Sequence, residues 1–159
     1  MLLMLSALPA LAAGVGGMFS EGRSLFSLVA GNAYAFEKRY FVVGGSLSYY
    51  VVDGLGVGLS LEKWSGSDPG ITKVAPFVQY VFLPGYRVRP YVGALYRHTV
   101  ISGLPSINSV GARGGVMIAS GSNAFLSAGF AHESYLNCQV SVYRVCSETY
   151  PDIGLTFAF

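Results

Sequence analysis

The sequence predicts an all-β fold, an eight-stranded antiparallel up-and-down transmembrane β-barrel, and three observations support this prediction. Hydrophobic residues make up 52% of the 159 residues and charged residues only 11%, whereas a soluble domain carries about 25% charged residues. No apolar run reaches the roughly 18–20 residues that a spanning helix needs. Apolar residues instead alternate with small or polar ones, which is the period of a strand with one apolar face.

The last strand shows this alternation most clearly. Its apolar face is formed by Ile153, Leu155, Phe157 and Phe159, and the residues between them are small or polar. In a soluble protein such an aromatic strand would be an edge prone to aggregation. A closed barrel in a membrane has no edge, and lipid accepts the apolar face.

The first four predicted strands follow a glycine-rich lead. In chain order they are Leu25–Glu37, Arg39–Val52, Leu55–Trp64 and Ile71–Leu83. The third alternates leucine and valine with glycine, serine and glutamate, which defines its two faces. The first is ambiguous, because an inward Asn32 would bring Leu28 and Tyr34 inward as well. Most of these runs are close to the roughly 9–11 residues with which a tilted strand crosses a membrane.

The second four predicted strands are Val88–Thr99, Val110–Ala119, Ala124–Glu133 and Asp152–Phe159. In the sixth strand, valine, alanine and isoleucine form one face, while glycines and Arg113 lie on the other. In the seventh, leucine, alanine and phenylalanine oppose serine, glycine and alanine. An even number of strands places both ends of the barrel domain on the same side of the membrane.

The connections between the predicted strands alternate in length. The short turns are Asp53-Gly54, which has the chemistry of a two-residue hairpin, Pro84-Gly85 and Ser120-Gly121-Ser122-Asn123. The longer loops are Ser65–Gly70, Val100–Ser109 and Ser134–Pro151, with a short exception around Glu37-Lys38-Arg39. Short turns on one side and long loops on the other are typical of an outer-membrane barrel, whose turns are periplasmic and whose loops lie outside.

Residues 1–12 are predicted to be a signal peptide, and residues 13–159 the barrel domain. The segment has an apolar core and ends in Ala10-Leu11-Ala12, which matches the small-residue pattern of a cleavage site. It lacks a basic start, which suggests a truncated precursor. The alternative is a short apolar helix that the mature protein keeps.

Aromatic residues cluster near the ends of the predicted strands. Toward the short turns these residues are Tyr49, Tyr50, Phe82, Tyr86, Phe125 and Phe157. Toward the longer loops they are Phe36, Tyr40, Phe41, Trp64, Tyr96 and Tyr150. Two belts of aromatic rings are typical of the two interfaces of a membrane. The alternative is that these rings are ordinary core residues.

With these features the chain resembles the small eight-stranded outer-membrane barrels of the OmpA/OmpX type. The resemblance is carried by the terminal ladder of Ile153, Leu155, Phe157 and Phe159 and by the strand start Arg89-Pro90-Tyr91-Val92-Gly93-Ala94. It implies location in a bacterial outer membrane, and it implies that the terminal ladder is an assembly signal read by the barrel-assembly machinery. It implies no single function, because such barrels include anchors, adhesins, narrow channels and lipid-modifying enzymes.

The face opposite the apolar one carries charged residues, which a membrane barrel would place in its lumen. The predicted charge network consists of Glu62, Lys73, Arg97, Arg113, Glu133 and Asp152, with Gln79 beside them. The lumen of an eight-stranded barrel is just wide enough for side chains to fill. These charges should therefore pair across it. The main expectation is a salt-bridged plug, and the alternative is a small polar channel.

Cys138 and Cys146 are the only cysteines, and both lie in the longest predicted loop. In an oxidising compartment such an even pair predicts a disulfide. Two ligands are too few for a metal site and no nearby His completes a set, so no metal is expected. The closed loop would offer a fixed surface to a partner, or would simply resist proteases.

His132, Ser134 and Glu148 resemble the catalytic residues of the outer-membrane lipid A deacylases, which use a rim His, a Ser two residues later and a downstream Glu. In such a set the His takes the Ser proton and the carboxylate orients the ring. The match is partial, because Tyr135 replaces the Asn that follows the Ser and no Glu begins the last strand. The alternative is a His and a Ser in a polar rim.

The predicted role is non-enzymatic: a scaffold, surrounded by outer-membrane lipids, whose extracellular loops bind a partner or support the envelope. The first alternative is a narrow pore for small solutes, and the second is a lipid-modifying enzyme at the rim. A net charge of +2 is too small to indicate a nucleic-acid partner. No cofactor is expected, because the glycine pairs precede no helix. A soluble lipocalin-like barrel would instead bury the apolar faces and expose the charges.

Overall fold

The computed structural model describes residues 17–35, 37–83, 87–121, 123–138 and 146–158. They form a closed barrel in which each strand pairs with its sequence neighbours and the last returns to the first. The strands are β1 (Ser24–Ala35), β2 (Lys38–Val52), β3 (Leu55–Ser65), β4 (Ile71–Val81), β5 (Val88–Ile101), β6 (Ile107–Ala119), β7 (Ala124–Tyr135) and β8 (Ser147–Ala158). All neighbouring pairs are antiparallel, which confirms the predicted eight-stranded up-and-down barrel.

A short 3₁₀ helix, Gly17–Phe19, precedes β1. Within the described ranges, no helix has both the length and the apolar character needed to cross a membrane. The predicted signal peptide lies outside the described residues and stays a prediction.

Two strands begin three or more residues earlier than the sequence predicted. β6 begins at Ile107 instead of Val110, and β8 begins at Ser147 instead of Asp152. Both extensions are made of residues without a clear apolar alternation, and the β8 extension also contains Pro151. Such residues pair in a ladder through their backbone, so the strands continue past the part that the hydrophobic pattern reveals.

The two ends of the barrel differ in their connections. The turn end carries connections 53–54, 82–87 and 120–123, together with the start of β1 and the end of β8. The loop end carries connections 36–37, 66–70, 102–106 and 136–146. At the loop end Glu37 has a φ of 61°, a left-handed conformation that is uncommon outside glycine. β1 therefore ends at Ala35, and Glu37 belongs to the turn.

The outward face of the barrel is apolar. Large side chains on it are widely exposed, among them Leu61 at 55% and Phe130 at 67%. A soluble protein rarely exposes a continuous apolar surface of this kind, whereas the lipid-facing band of a membrane barrel requires one. This orientation is the reverse of the one that the lipocalin-like alternative needs.

The structure resolves the ambiguous first strand. Leu25 is buried in the lumen, Leu28 is 46% exposed, and Asn32 shares the outward face of Leu28. The burial of Leu25 in the apolar core at the turn end fixes the direction of the whole strand, since successive residues alternate. The side chain of Tyr34 lies outside the described residues.

The predicted aromatic belts are only partly correct. Phe41, Tyr49, Phe82 and Tyr96 are exposed, and Phe157 lies on the outward face of β8. The lumen instead receives Tyr40, Tyr50 and Phe125, which are buried, and Trp64 and Tyr150, which line its cavity. Adjacent residues of a strand point to opposite faces, so both members of a pair such as Tyr49-Tyr50 cannot face lipid. Phe36 and Tyr86 lie outside the described residues.

The seam that closes the barrel is short. β1 and β8 are in register over four residue pairs, from Leu25 with Ala158 to Leu28 with Leu155. The other neighbouring strands are in register over nine to twelve pairs. Beyond Leu28, β1 pairs with β2 alone. The wall is therefore discontinuous between β1 and β8 toward the loop end.

Candidate functional site

Inward-facing side chains occupy the lumen in layers. The turn-end layer is apolar and consists of Phe19, Leu25, Tyr50, Val81, Tyr91, Met117 and Phe125. The loop-end layer is formed by Tyr40, Ile71 and Ile101, with Trp64 and Ile107 packed against them. The residues of the predicted charge network lie between these two layers.

Arg97 is the centre of an upper network, on the loop-end side. One terminal nitrogen of its guanidinium lies 2.5 Å from Oε1 of Glu133 and the other 3.3 Å from Oε1 of Glu62. Arg97 also donates to the hydroxyl of Tyr150 at 2.9 Å. Tyr150 donates to Glu133, and Ser109 donates to the second oxygen of Glu133 at 2.9 Å. With 6% of Arg97 and 1% of Glu133 exposed, these charges are desolvated and depend on one another.

Lys73 joins the upper network through an aromatic ring. Its Nζ lies 4.0 Å from the centroid of the Trp64 ring, where the ring quadrupole attracts a cation. Trp64 in turn donates from Nε1 to Oε2 of Glu62 at 3.3 Å. The ion pairs of the described residues do not include Lys73.

Arg113 is the centre of a lower network, on the turn-end side. It donates to Oε1 of Gln79 at 2.7 Å, and it lies 4.0 Å from Oδ2 of Asp152. Gln79 donates to the hydroxyl of Tyr50 at 2.9 Å, and the hydroxyl of Tyr91 donates to Asp152 at 3.1 Å. The rings of both tyrosines belong to the turn-end layer, so this network joins the polar and apolar layers. Sequence reasoning assigned Tyr50 to the lipid-facing aromatics, and it gave Tyr91 no role in the lumen.

Glycines make room for the charged side chains. In the strand registers, a glycine lies opposite a charged residue four times: Gly44 with Glu62, Gly93 with Arg113, Gly111 with Glu133 and Gly129 with Asp152. A Cβ on Gly44 would lie 2.7 Å from Cγ of Glu62, and one on Gly111 would lie 2.8 Å from Cγ of Glu133. The long side chains cross the narrow lumen over positions that have no side chain. This pairing becomes visible only when the register is known.

Phe19 closes the turn end, and no sequence pattern predicted it. Its side chain is fully buried, with its ring centroid 5.5 Å from that of Tyr50 and 5.1 Å from that of Phe125. The Phe19 carbonyl accepts the N–H of Gly54 at 2.8 Å, and the guanidinium of Arg89 lies 5.3 Å from the ring centroid. A three-residue turn contributes one inward side chain, which leaves no periodicity to detect.

The rim residues His132, Ser134 and Glu148 are not brought together. Nδ1 of His132 lies 2.7 Å from Oγ1 of Thr149, whereas Glu148 accepts the hydroxyl of Tyr135 at 2.5 Å. Glu148 and Thr149 are adjacent in β8 and point to opposite faces of the wall. The carboxylate therefore lies on the other side of the wall from His132, and the arrangement does not form a Ser–His–carboxylate relay.

Cys138 and Cys146 form a disulfide with a Cα–Cα distance of 5.6 Å, which confirms the predicted bond. Close to it, the N–H of Tyr135 donates to the carbonyl of Cys146 at 2.8 Å. Residues 139–145, whose apolar members were predicted to form a partner surface, lie outside the described residues.

We expect the disulfide to protect the loop more than the barrel. The Cys138→Ser/Cys146→Ser variant loses the stabilisation of about 2–3 kcal/mol that closing this ring provides through loop-closure entropy. The bond lies outside β7 and β8, so its loss should affect the loop and leave the barrel folded. Limited proteolysis of proteoliposomes should then cleave between positions 138 and 146 several-fold faster than in wild type, while heat-modifiable gel migration stays unchanged. Free thiols in the unreduced wild type would contradict the bond itself.

The residues of the predicted assembly signal lie on the outward face of β8. Ile153 and Leu155 are exposed there, and Phe157 shares their face. Phe159 lies outside the described residues. Reading of this ladder by the assembly machinery stays a prediction.

No family model matches the chain, and no curated protein matches it. Solved structures do match. The N-terminal β-barrel domain of OprF from Pseudomonas aeruginosa has a TM-score of 0.69 and 19% identity, over 87% of this chain and 98% of that domain. The chain has the fold of a small outer-membrane barrel.

Two further barrels extend this comparison. Neisserial surface protein A (NspA) matches with a TM-score of 0.57 and 15% identity, over 86% of this chain and 96% of that one. Ail of Yersinia pestis matches with a TM-score of 0.55 and 17% identity, over 87% of this chain and all (100%) of that one. The predicted resemblance to small eight-stranded outer-membrane barrels is confirmed at the level of fold.

Proposed function

We propose that this chain is a non-enzymatic barrel of a bacterial outer membrane, closed along its axis, with its loop end outside the cell. The observation that carries the proposal is the obstructed axis of the lumen, across which the upper and lower networks lie between two apolar layers. The apolar outward face supports the membrane location. The fold shared with OprF, NspA and Ail supports the same location.

We further propose that the loop end presents a fixed surface to an extracellular partner. The loop 66–70 is fastened to β2, because Tyr40 donates to the carbonyl of Pro69 at 2.9 Å and Ser67 donates to the carbonyl of Arg39 at 2.7 Å. The disulfide joins Cys138 and Cys146 at the two ends of the last loop. Ail, the attachment invasion locus protein of Yersinia pestis, shares this fold, which supports a surface role. The barrel-assembly machinery and outer-membrane lipids are the other partners that the proposal implies.

We expect the wild-type protein to show no steady single-channel conductance in planar lipid bilayers. An ion moving along the axis would meet the Arg97–Glu133 pair and then the ring of Phe19. Arg113→Ala should also stay closed, because the upper network and Phe19 remain. Flotation with liposomes verifies insertion, and a porin recorded in parallel verifies detection. A large steady conductance of the wild type would contradict the closed lumen and favour the narrow-pore alternative.

A further inference from the structure

A cavity of about 550 Å³ lies between the layers of the lumen. Tyr91 and Met117 of the turn-end layer bound it on one side, and Trp64 reaches it from the other. Its volume falls within the roughly 300–1,000 Å³ of small-molecule sites. The cavity is therefore large enough to hold a ligand, and its wall shows where a ligand could enter.

The cavity passes out of the barrel between β1 and β8. Its lining includes every residue from Leu28 to Ala33 on β1 and from Tyr150 to Gly154 on β8. Successive residues of a strand point to opposite faces, so a cavity confined to the lumen would contact mainly alternate residues, as it does on β3 at Ser60, Glu62 and Trp64. The stretches of β1 and β8 that line the cavity begin where the register between the two strands stops, at Leu28 and Leu155. We call this gap the lateral opening.

A proline in β8 prevents continuous backbone hydrogen bonding between β1 and β8 at the lateral opening. The N–H of Ala158 donates to Asn123 on the β7 side, so even-numbered residues of β8 face β7 and odd-numbered residues face β1. Pro151 is odd-numbered, so the backbone N–H that proline lacks is one that would have pointed toward β1. Continued pairing would have placed Pro151 opposite Asn32.

The lateral opening is longer than a proline alone would make it. In β4, Pro76 leaves only itself and Ala75 out of register with β5. Beyond Leu28, by contrast, β1 and β8 do not pair again. An open edge facing hydrocarbon leaves backbone groups unsatisfied unless they line a polar cavity. The cavity supplies that polar surface, so the edge and the cavity form one feature.

The lining combines an apolar mouth with a charged interior. Ala30 and Ile153 stand at the mouth, while the interior is lined by three cations, Lys73, Arg97 and Arg113, and by three carboxylates, Glu62, Glu148 and Asp152. Arg113 lies 4.0 Å from its carboxylate partner, against 2.5 Å for the closest contact of Arg97. The buried Nε of Arg113 has no hydrogen-bond partner among the described residues. Arg113 therefore keeps a distant carboxylate partner, whereas Lys73 lies on the Trp64 ring and forms no ion pair among the described residues. Lys73 is the cation that can receive an anionic group, while the mouth accepts a hydrocarbon chain.

We propose that the lateral opening admits a single-chain anionic amphiphile, of which a fatty acid is the simplest, from the outer half of the membrane. Its carboxylate would lie near Lys73, and its chain would extend through the mouth between β1 and β8. The turn-end layer closes the cavity on the side of the short turns. The ligand therefore cannot pass through the barrel, and the cavity acts as a binding site. The proposal rests on the proposed membrane location, which flotation with liposomes tests separately.

Trp64 is a built-in reporter for this site. It is the only tryptophan of the chain, and it lines the cavity. Bromine quenches tryptophan fluorescence on contact, and the proposed pose places the carboxylate close to Lys73 and Trp64. A fatty acid brominated at carbon 2, next to its carboxylate, should therefore quench Trp64 when it enters the cavity of protein in liposomes. A phospholipid brominated at the same depth stays outside and measures quenching through the wall. We expect the fatty acid to quench several-fold more strongly than this phospholipid, and more strongly than its own methyl ester.

Two cysteine pairs distinguish entry through the wall from entry at the loop end. Ala30→Cys/Ile153→Cys would close the lateral opening, because these positions continue the register of the seam. Phe26→Cys/Phe157→Cys is the matched control, since it joins the same strands where they already pair. The first disulfide should abolish the quenching by the fatty acid, and the second should preserve it.

Two outcomes would overturn the lateral site: quenching no greater than that by brominated phospholipid in the wild type, or equal quenching in both disulfide variants. Intact mass and heat-modifiable migration show whether the bonds form and the barrels fold. If the first pair does not fold, Gly31→Leu serves instead. Nothing lies within 4 Å of a Cβ at Gly31, so a leucine can occupy the opening without a new bond. Undiminished quenching in that variant would also count against the site.

Discussion

Replacing Arg97 with methionine is expected to destabilise the barrel by about 3–5 kcal/mol, because Glu62 and Glu133 would stay buried without their shared cation. Glu133 is the most deeply buried carboxylate of the upper network, at 1% exposure. The free energy of unfolding can be measured by urea titration in lipid vesicles. Trp64 fluorescence reports the transition, since its indole donates to Glu62.

Two further variants separate the ion pair from a general effect of losing a charge. Lys63→Met removes a cation from an exposed position on β3, and its effect should stay within about 0.5 kcal/mol. The double variant Arg97→Met/Glu133→Gln should recover part of the lost stability, because one uncompensated carboxylate is gone. If Arg97→Met unfolded at the wild-type urea concentration, the network would not be what holds the lumen together.

Alternation along single strands was enough to predict the barrel and its inward charges. Arg113 and Glu133 each lie on a strand whose other face is apolar, so their direction follows from local sequence. The disulfide followed from the number of cysteines and their loop. These features depend on near neighbours in the chain, which is why the sequence predicts them.

Features that depend on contacts between distant strands were not predictable in this way. The contact of Arg97 with both Glu62 and Glu133 joins three strands, and its geometry depends on their relative stagger. Phe19 had no pattern to mark it, because its role depends on the ring of residues around it. Sequence reasoning also placed Tyr50 and Tyr150 among lipid-facing aromatics, although their hydroxyls carry parts of the two networks.

The proposed closure along the axis and the proposed opening through the wall are compatible. The ion pairs of Arg97 and the ring of Phe19 block the axis, while the lateral opening leads only to the cavity between the layers. A charged lumen would normally repel a hydrocarbon chain. The small apolar mouth at Ala30 and Ile153 allows the chain to stay at the wall while its head group lies inside.

Gly129→Ala is expected to cost about 3 kcal/mol or more and to reduce the yield of folded barrel. Gly129 and Gly115 lie directly opposite each other in β7 and β6. A Cβ on Gly129 would lie 2.8 Å from Cα of Gly115, and one on Gly115 would lie 2.5 Å from Cα of Gly129. Overpacking against a flexible side chain costs about 1–3 kcal/mol, but here the neighbour is backbone, so the two strands must separate. Heat-modifiable migration and urea titration in vesicles measure the loss.

Gly31→Ala is the matched control for this substitution. It makes the same change at an inward-facing strand glycine, but nothing lies within 4 Å of the added Cβ. The substitution should be neutral or stabilising by up to about 1 kcal/mol, because alanine restricts the unfolded chain. Equal destabilisation by the two changes would show that strand glycines matter here for backbone freedom. A loss confined to Gly129→Ala would show that close approach of β6 and β7 is the requirement, which is also what brings Arg113 and Asp152 together across the lumen.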